Sequence, residues 1–188
     1  MLAVRDRLDA EAFEALYQRH ARGLLNFFLR LSWDRQGADD LLQETFLRLW
    51  RSSARYQPIA KFRTFLFQIG KNLWLNDLER FRRMPKRAPV GAEEVLEAPE
   101  PGVPGGVEDP MEAASRGELS ERLVRAIARL SKPYRLVFVL GACQELPYRE
   151  VAAILDIPEG TVKSRMFKAC AALRQILGGA ISPGEAQR

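Results

Sequence analysis

The sequence predicts an all-α protein made of two small helical domains, a helical bundle and a helix-turn-helix domain, joined by a flexible linker. Apolar residues recur every three or four positions on both sides of residues 85–117, which is the period of amphipathic helices. No segment shows the apolar–polar alternation of a half-buried strand. Residues 85–117 are rich in proline, glycine and acid, a composition typical of an extended chain. The predicted domains are therefore residues 1–84 and 118–178, followed by a flexible tail at 179–188.

Helices are predicted wherever the apolar spacing is helical. The segments are Phe13–Leu31, about Asp39–Arg51, about Arg63–Arg82, a helix from a capping box at Ser115–Glu118 to about Leu130, Tyr134–Ala142, and the pair Leu146–Leu155 and Gly160–Leu177. The short break between the last two helices suits a tight turn, and Pro158 can open the final helix.

Charge is distributed unevenly along the chain. The 188 residues carry a formal charge of +5, which favours a polyanionic partner such as nucleic acid. Residues 88–115 contain seven acids and no Lys or Arg, and six of the eleven prolines lie between Pro85 and Pro110. The excess positive charge therefore belongs to the two helical segments. A long loop inside one domain is the alternative, but unstructured loops of this length are uncommon.

Few residues are available for metal, redox or membrane functions. The chain has two cysteines, Cys143 and Cys170, and one histidine, His20, too few for a disulfide framework or a His/Cys zinc site. No run approaches the ~20 apolar residues of a membrane span, and the first residues lack the apolar core of a signal peptide. We therefore expect a cytoplasmic protein without metal, cofactor, small-molecule substrate or membrane insertion.

The second predicted helix carries a polar stripe opposite its apolar face. The stripe and its flank consist of Asp39, Asp40, Gln43, Glu44, Leu47, Arg48 and Arg51. Asp39 and Asp40 could serve only to complement the positive end of the helix dipole. Because acid repels phosphate and Leu47 lies within the stripe, a protein-docking face is the other interpretation.

The third predicted helix mixes aromatic and basic residues. Phe67, Lys71 and Trp74 are spaced i, i+4, i+7, and Asn76 follows. Aromatic faces stack on unpaired bases at about 1–3 kcal/mol per base while cations hold the backbone, so this surface is a candidate for binding single-stranded nucleic acid. Aromatic residues at helical spacing are more often core, however, and we expect at least half of five to be buried, Phe65 first. The five are Phe62, Phe65, Phe67, Trp74 and Phe81.

The last two helices have the layout of a helix-turn-helix, whose second helix enters the major groove of DNA. No acid lies between Gly160 and Arg174, and the stripe that contains Val162 and Met166 must face the core. Basic and hydroxyl residues then lie away from the core, at Thr161, Lys163, Ser164, Arg165 and Lys168. Such side chains can contact guanine, other base edges or phosphate. An ordinary solvated helix face is the alternative.

Together these segments resemble the extracytoplasmic-function (ECF) class of bacterial RNA polymerase sigma factors, over Ala10–Leu177 apart from the linker. Asp39–Trp50 is similar to the helix of that class that binds core polymerase, Phe62–Leu73 to its promoter-melting segment, and Gly160–Arg165 to its upstream-promoter helix. The resemblance implies an alternative sigma factor that binds core RNA polymerase and directs promoter recognition, DNA melting and transcription initiation. It also implies that the protein is not an enzyme.

The resemblance implies roles for individual residues. Core polymerase, at the clamp coiled coil of its largest subunit, would be contacted by Asp39, Asp40, Gln43, Glu44, Leu47 and Arg48. The single-stranded minus-ten element would be held by Lys61, Phe62, Arg63, Thr64, Phe67, Gln68, Lys71 and Asn72, to which the aromatic surface adds Trp74 and Asn76. The duplex minus-thirty-five element would be read by Arg149, Glu159, Gly160, Thr161, Lys163, Ser164, Arg165 and Lys168.

Some positions depart from the class. Gln68 and Lys71 stand where Arg is common, Phe167 stands where His or another polar residue is common, and the loop Tyr56–Ala60 is atypical. The role of Phe167 and the base preference near that loop are therefore open. Whether an anti-sigma factor binds the chain is open as well.

Two other functions fit parts of the pattern. One is a helix-turn-helix repressor or activator that acts without core polymerase, which predicts tight binding to a palindromic site. The other is a nucleic-acid enzyme that uses Asp39 and Asp40 to bind a metal. Adjacent helical residues point about 100° apart and no third ligand is evident, which argues against the enzyme.

Overall fold

The computed structural model describes residues 1–7, 9–58, 60–83 and 122–178, and every regular element in these ranges is helical. This agrees with the predicted all-α class. The predicted linker, the predicted capping box at Ser115–Glu118 and the tail lie outside the described residues.

The described residues form two helical units. The first unit, residues 1–83, contains α1 (Leu2–Arg7), α2 (Ala10–Ser32), α3 (Arg35–Arg51), a 3₁₀ turn (Ser53–Arg55) and α4 (Phe62–Arg83). The second unit, residues 122–178, contains α5 (122–129), α6 (Lys132–Phe138), a π-helical turn (Val139–Cys143), α7 (Tyr148–Leu155) and α8 (Glu159–Leu177).

Helix α3 begins about one turn earlier than the sequence analysis predicted. The Asp34 carboxylate accepts hydrogen bonds from the backbone N–H groups of Gln36 (3.0 Å) and Gly37 (3.1 Å), so Asp34 is the N-cap. Asp39 and Asp40 therefore lie beyond the first turn, where the helix dipole has little effect on them. The simple dipole explanation for these two acids does not hold.

The core of the first unit is formed by facing stripes of α2, α3 and α4. Its fully or nearly buried members are Leu24, Phe27, Phe28, Leu31, Leu41, Leu42, Phe46, Leu49, Leu66, Phe67, Leu73 and Trp74. The rings of Phe27 and Phe67 meet edge to face, with centroids 5.2 Å apart and an interplanar angle of 85°. That geometry is favoured by the ring quadrupoles and fixes α4 against α2.

In the second unit, the predicted helix Tyr134–Ala142 begins at Lys132 and changes to π-helical winding at Val139. The Gln144 N–H donates to the Val139 carbonyl (2.9 Å), five residues earlier. A β-carbon at Gly141 would lie only 2.5 Å from Cε of Met166, so glycine lets α8 pack directly on this turn.

The turn between α7 and α8 has helix-turn-helix character. Asp156 adopts a left-handed conformation (φ 56°, ψ 52°), and the Ile157 N–H donates to the Ala152 carbonyl (3.2 Å). Pro158 then opens α8, as predicted. The predicted inward stripe of α8 is buried at Val162, Met166, Ala169 and Leu173, and its fifth member, Ile176, is half-buried. Periodicity therefore assigned the outward face of α8 correctly.

The two units pack against each other. Helix α4 lies along α7, and α2 lies against the π-helical turn. The Arg135 guanidinium of the second unit donates to the Leu31 carbonyl at the end of α2 (3.0 Å). Buried residues of both units belong to one continuous apolar cluster. In the described residues the two units are thus in contact. Helix α4 lies between the other helices of the first unit and the helix-turn-helix of the second.

Candidate nucleic-acid and polymerase interfaces

The outward face of α8 displays most of the predicted duplex-reading residues. Lys163, Ser164 and Lys168 are exposed, while Thr161 and Arg165 are half-buried on the flanks. Lys163 Nζ lies 3.5 Å from Glu159 Oε1, a solvent-exposed pair that binding to phosphate can replace at little cost. No side chain caps the start of α8, and nothing lies within 4 Å of a β-carbon built on Gly160. The open end of α8 therefore has room for a nucleic-acid backbone.

Phe167 is a member of this face that the sequence analysis left without a role. Its side chain is 74% exposed, although aromatic rings are usually covered. It lies one helical turn beyond Lys163, next to Ser164 and Lys168 on the same surface. Its i+4 spacing from Lys163 was the signal that could have placed it there. An exposed ring amid these groups can contact a thymine methyl.

The outer face of α3 brings together the six residues predicted to contact polymerase. Asp40, Gln43 and Arg48 are exposed, Leu47 is 41% exposed, and the others are half-buried. Two i, i+4 pairs order the charges: Arg35 Nε donates to Asp39 Oδ2 (3.0 Å) and Arg48 Nε donates to Glu44 Oε1 (2.7 Å). The result is an acidic surface with an apolar residue in its middle, which suits a protein partner.

The residues predicted to hold the minus-ten strand are divided between three sides of α4. Phe67 and Trp74 face the core and are each 2% exposed. Asn72 and Asn76 are exposed. Lys61, Phe62, Arg63, Thr64, Gln68 and Lys71 form the remainder, and three of these are bonded to the second unit, as described below.

The predicted stacking role of Phe67 and Trp74 requires a correction. A buried ring has no free face for a base, and these two rings are covered because α4 packs against α2, α3 and α7 at once. Phe65, which we expected to be the most buried of the five aromatic residues, is only half-buried. Spacing along one helix did not show which of its sides its neighbours would cover.

An open groove of about 750 Å³ lies beside the exposed side of Phe65. It is lined by Arg48, Arg51, Ser52, Ala54, Arg55, Phe65, Ile69 and Asn72. An aromatic side chain beside several guanidinium groups matches the chemistry of a nucleotide, with its stacking base and its phosphate. The sequence analysis assigned Asn72 to the minus-ten strand but missed Arg55 and Phe65. Arg48 and Arg51, at i and i+3 on α3, carried a signal for part of this grouping, whereas Arg55 lies in the turn after the helix, where helical spacing does not apply.

The start of α4 is bonded to the second unit. Lys61 Nζ lies 2.6 Å from Glu150 Oε1, and the Thr64 hydroxyl donates to Glu150 Oε2 (3.2 Å). The Arg63 guanidinium donates to the backbone carbonyl of Gln144 (2.7 Å), with the Gln144 side-chain oxygen 3.5 Å away. Arg63 also lies 5.6 Å above the Phe67 ring. Three predicted strand-binding residues therefore have partners within the chain.

Burial lowers the pKa of two groups near this contact. Desolvation lowers the pKa of Lys71, which the negative charge of Asp156 on the second unit partly opposes. Desolvation also lowers the pKa of His20, and the positive charges of Arg19 and Arg63 lower it further. The His20 ring lies against Phe62, with centroids 5.1 Å apart. Of the two groups, Lys71 is the one whose pKa depends on a charge of the second unit.

The cysteines and the acids show no arrangement for metal or redox chemistry in the described part of the chain. Desolvation raises the pKa of the Cys143 and Cys170 thiols, which disfavours the reactive thiolate. Across residues 1–7, 9–58, 60–83 and 122–178, no group of three His, Cys, Asp or Glu side chains is placed to hold a metal ion. No described helix combines the length and apolarity needed to cross a membrane.

Comparisons with known proteins bear on these surfaces. Residues 16–84 match the family model of sigma-70 region 2, and residues 120–173 match that of sigma-70 region 4. The ECF RNA polymerase sigma factor SigL of Mycobacterium tuberculosis is 34% identical over 173 residues, which cover 90% of each chain.

Solved structures show the same fold. CnrH, solved in complex with the cytosolic domain of CnrY, is 27% identical with a TM-score of 0.66 and covers 92% of both chains. The sigma factor RpoE from Bartonella quintana, solved with the anti-sigma factor NepR, is 21% identical with a TM-score of 0.70. That likeness covers 92% of this chain and 100% of RpoE, and it concerns the fold alone.

A region 2 bundle followed by a region 4 helix-turn-helix defines a sigma-70 protein. The chain belongs to the ECF class of RNA polymerase sigma factors. It is an alternative sigma factor whose partners are core RNA polymerase and promoter DNA. The predicted family, fold class and function are thereby confirmed.

Proposed function

We propose that this sigma factor divides promoter recognition among three surfaces. The outer face of α3 docks on core polymerase, the groove beside α4 receives an unpaired base of the minus-ten element, and the outer face of α8 reads the minus-thirty-five duplex. The observation that carries the proposal is the grouping of residues by chemistry. The acids of α3, the groove that joins Phe65 to Arg51 and Arg55, and the acid-poor face of α8 lie on different parts of the described structure, with Arg48 shared by the first two. We also propose that residues 1–84 and residues 118–178 form the two domains that carry these surfaces.

The docking surface on α3 is supported by its charge and by Leu47. Asp39 and Glu44 already hold the guanidinium groups of Arg35 and Arg48, and the exposed carboxylate of Asp40 would repel phosphate, so DNA is a poor partner for this face. Leu47, 41% exposed within the acidic surroundings, supplies the apolar contact that a specific protein interface needs at its centre. A basic surface with an apolar pocket on polymerase would match both features.

The groove is supported by its lining. An unpaired base can stack on Phe65 while Asn72 offers donor and acceptor groups to its edge. Arg51 and Arg55 can neutralise the neighbouring phosphates. Melting then follows from binding unstacked bases better than stacked ones, which shifts a population and needs no enzymatic step. We accordingly propose that the chain is not an enzyme and works in the cytoplasm.

The duplex-reading surface is supported by exposure on one side of α8. Lys163, Ser164 and Lys168 can contact bases or phosphates from the major groove. Phe167 is added to the predicted set because its ring stands on the same side. An anti-sigma factor stays a proposed partner, suggested by the RpoE neighbour that was solved with NepR.

Run-off transcription with purified core polymerase tests the assignment. The sigma factor should direct transcripts from a promoter library, and Leu47→Asp should abolish them by preventing capture by polymerase. Lys163→Ala with Arg165→Ala should instead change promoter choice while polymerase capture is kept. If the α8 variants lost polymerase binding as well, the separation of the surfaces would be wrong. Tight binding of the free protein to a palindromic duplex would favour the repressor or activator alternative.

A further inference from the structure

The groove beside Phe65 has two sides, which come from different elements. One side is α4, which contributes Phe65, Ile69 and Asn72. The other side is the end of α3 and the 3₁₀ turn after it, with Arg48, Arg51, Ser52, Ala54 and Arg55. That turn is only three residues long, and 3₁₀ hydrogen bonds have poorer geometry than those of an α-helix. Packing against neighbouring elements must therefore hold this side of the groove in place.

The N-terminal helix α1 is one of these neighbours. It contacts the turn Ser53–Arg55 as well as α2. Val4 on α1 is fully buried, and Ser53 in the turn is nearly so. Leu2, on the same helix, is 47% exposed. Helix α1 thus has a covered side, and the turn is among the elements that cover it.

A polar contact joins α1 to the residue that follows the turn. Nη1 of Arg5 donates to the backbone carbonyl of Tyr56 at 3.4 Å, across 51 positions of the chain. The Tyr56 N–H in turn donates to the Ser53 carbonyl at 3.0 Å, which closes the 3₁₀ turn. The same residue is therefore tied to the turn by its N–H and to α1 by its carbonyl.

Tyr56 carries this contact across to α4. Its side chain is only 6% exposed, and its ring lies against that of Phe65, with centroids 5.3 Å apart and an interplanar angle of 57°. The Phe62 ring lies on it as well, at 6.4 Å. Phe65 is half-buried and borders the groove, so the buried Tyr56 ring limits where the Phe65 ring can lie.

We propose that Val4, Arg5 and Tyr56 are positioning residues of the base-binding groove. Helix α1 holds the turn side of the groove and, through Tyr56, the ring of Phe65, and so sets how firmly an unpaired base is gripped. The inference rests on the base-binding role proposed for the groove. None of the three residues lines the groove, so they act on the base through Phe65 and the turn.

Binding of the holoenzyme to a forked promoter DNA with a single-stranded minus-ten segment tests the inference. Each minus-ten base is replaced in turn by an abasic site. The wild type should bind the intact strand about 5- to 150-fold more tightly than the strand that lacks the base held in the groove. Phe65→Leu should remove most of this preference. Val4→Ala, Arg5→Ala and Tyr56→Leu should each lower it about twofold or more.

The matched control is Leu2→Ala, which removes an apolar side chain from the exposed part of the same helix and should keep the wild-type preference. Adding Val4→Ala to Phe65→Leu should lower the preference no further, because both changes act through one ring. Capture by core polymerase and affinity for the minus-thirty-five duplex should stay at wild-type values. Urea unfolding shows which variants are folded, and Arg5→Ala, which removes no buried apolar group, decides the matter if Val4→Ala is unstable.

The outcomes separate the inference from the function on which it rests. A loss of preference in Phe65→Leu, with Val4→Ala and Arg5→Ala both matching Leu2→Ala, would overturn the positioning role and leave the groove as the base pocket. An unchanged preference in a folded Phe65→Leu protein would overturn the groove itself.

Discussion

Gly70 on α4 lies so close to Phe28 on α2 that a β-carbon at position 70 would be 3.0 Å from Cζ of the phenyl ring and 3.1 Å from Cδ1 of Leu24. Both neighbours are fully buried, so neither can move aside easily. The absence of a side chain at Gly70 is what allows α4 to approach α2.

Gly70→Ala should therefore destabilise the protein. Alanine favours helix by about 1 kcal/mol, but overpacking a tight core costs roughly 1–3 kcal/mol, and we expect a net loss of about 1 kcal/mol. Urea unfolding followed by circular dichroism measures it. Gly160→Ala, where no atom lies within 4 Å, is the control and should be neutral or stabilising. An equal gain at both positions would show that α2 and α4 are not in tight contact.

Substitutions at Asp34 and Asp40 should have different effects: the first should lower stability, and the second should weaken polymerase binding. Asp34→Ala removes the side-chain acceptor of two backbone N–H groups at the start of α3 and should cost about 1 kcal/mol of unfolding free energy. Asp40→Ala, on the exposed docking face, should leave the unfolding free energy within about 0.5 kcal/mol and weaken capture by core polymerase. A denaturant titration and a pull-down with core polymerase distinguish the two. A loss of unfolding free energy in Asp40→Ala would instead indicate that Asp40 helps to cap the start of α3.

Lys163 and Phe167 should affect duplex binding in different ways. Lys163→Ala removes a cation, so the slope of log affinity against log salt concentration should fall by about 1 for the holoenzyme on a minus-thirty-five duplex. Phe167→Ala should weaken binding, by about 1 kcal/mol, without changing that slope, because the ring carries no charge. Fluorescence anisotropy over a salt series measures both. A slope change with Phe167→Ala would contradict direct contact with base edges.

Phe65 should be needed for open promoter complexes. Phe65→Leu keeps an apolar side chain but removes the stacking face, and it should lower open-complex formation by about 1–3 kcal/mol, or roughly 5- to 150-fold. Permanganate reactivity of promoter thymines reports the unpaired bases. Urea unfolding is needed in parallel, since the Phe65 ring also contacts Tyr56, with centroids 5.3 Å apart. Full reactivity with a folded Phe65→Leu protein would exclude the groove as a base pocket.

Acidification should weaken the folded state through His20. Burial and the charges of Arg19 and Arg63 place its folded-state pKa below the ordinary value of 6.5. The unfolded chain then binds the proton more tightly than the folded chain does. The contribution of neutral His20 to the unfolding free energy is therefore complete above pH 6.5 and is lost as the pH drops through the folded-state pKa. His20→Gln removes this titration and should flatten the curve between pH 7 and 5. An unchanged curve in the variant would assign the pH dependence to the carboxylates.

Much of the fold follows from local sequence. The outward face of α8 was predictable because Val162, Met166 and Leu173 recur at helical spacing, and a side chain's direction on a helix depends only on its position along that helix. The polar face of α3 was predictable for the same reason. The N-cap of α3 at Asp34 was also a local signal, because its carboxylate caps backbone N–H groups only two and three residues further on.

Only the tertiary structure decides which sides of α4 are covered, because this helix has neighbours on three sides. Its own sequence does not say that Phe67 and Trp74 are covered while Phe65 borders a groove, because coverage depends on where α2, α3 and α7 lie. The bond from Lys61 to Glu150 joins residues 89 positions apart, beyond the reach of any periodicity. Periodicity orients side chains about one helix axis, whereas contacts between helices are set by how the whole chain packs.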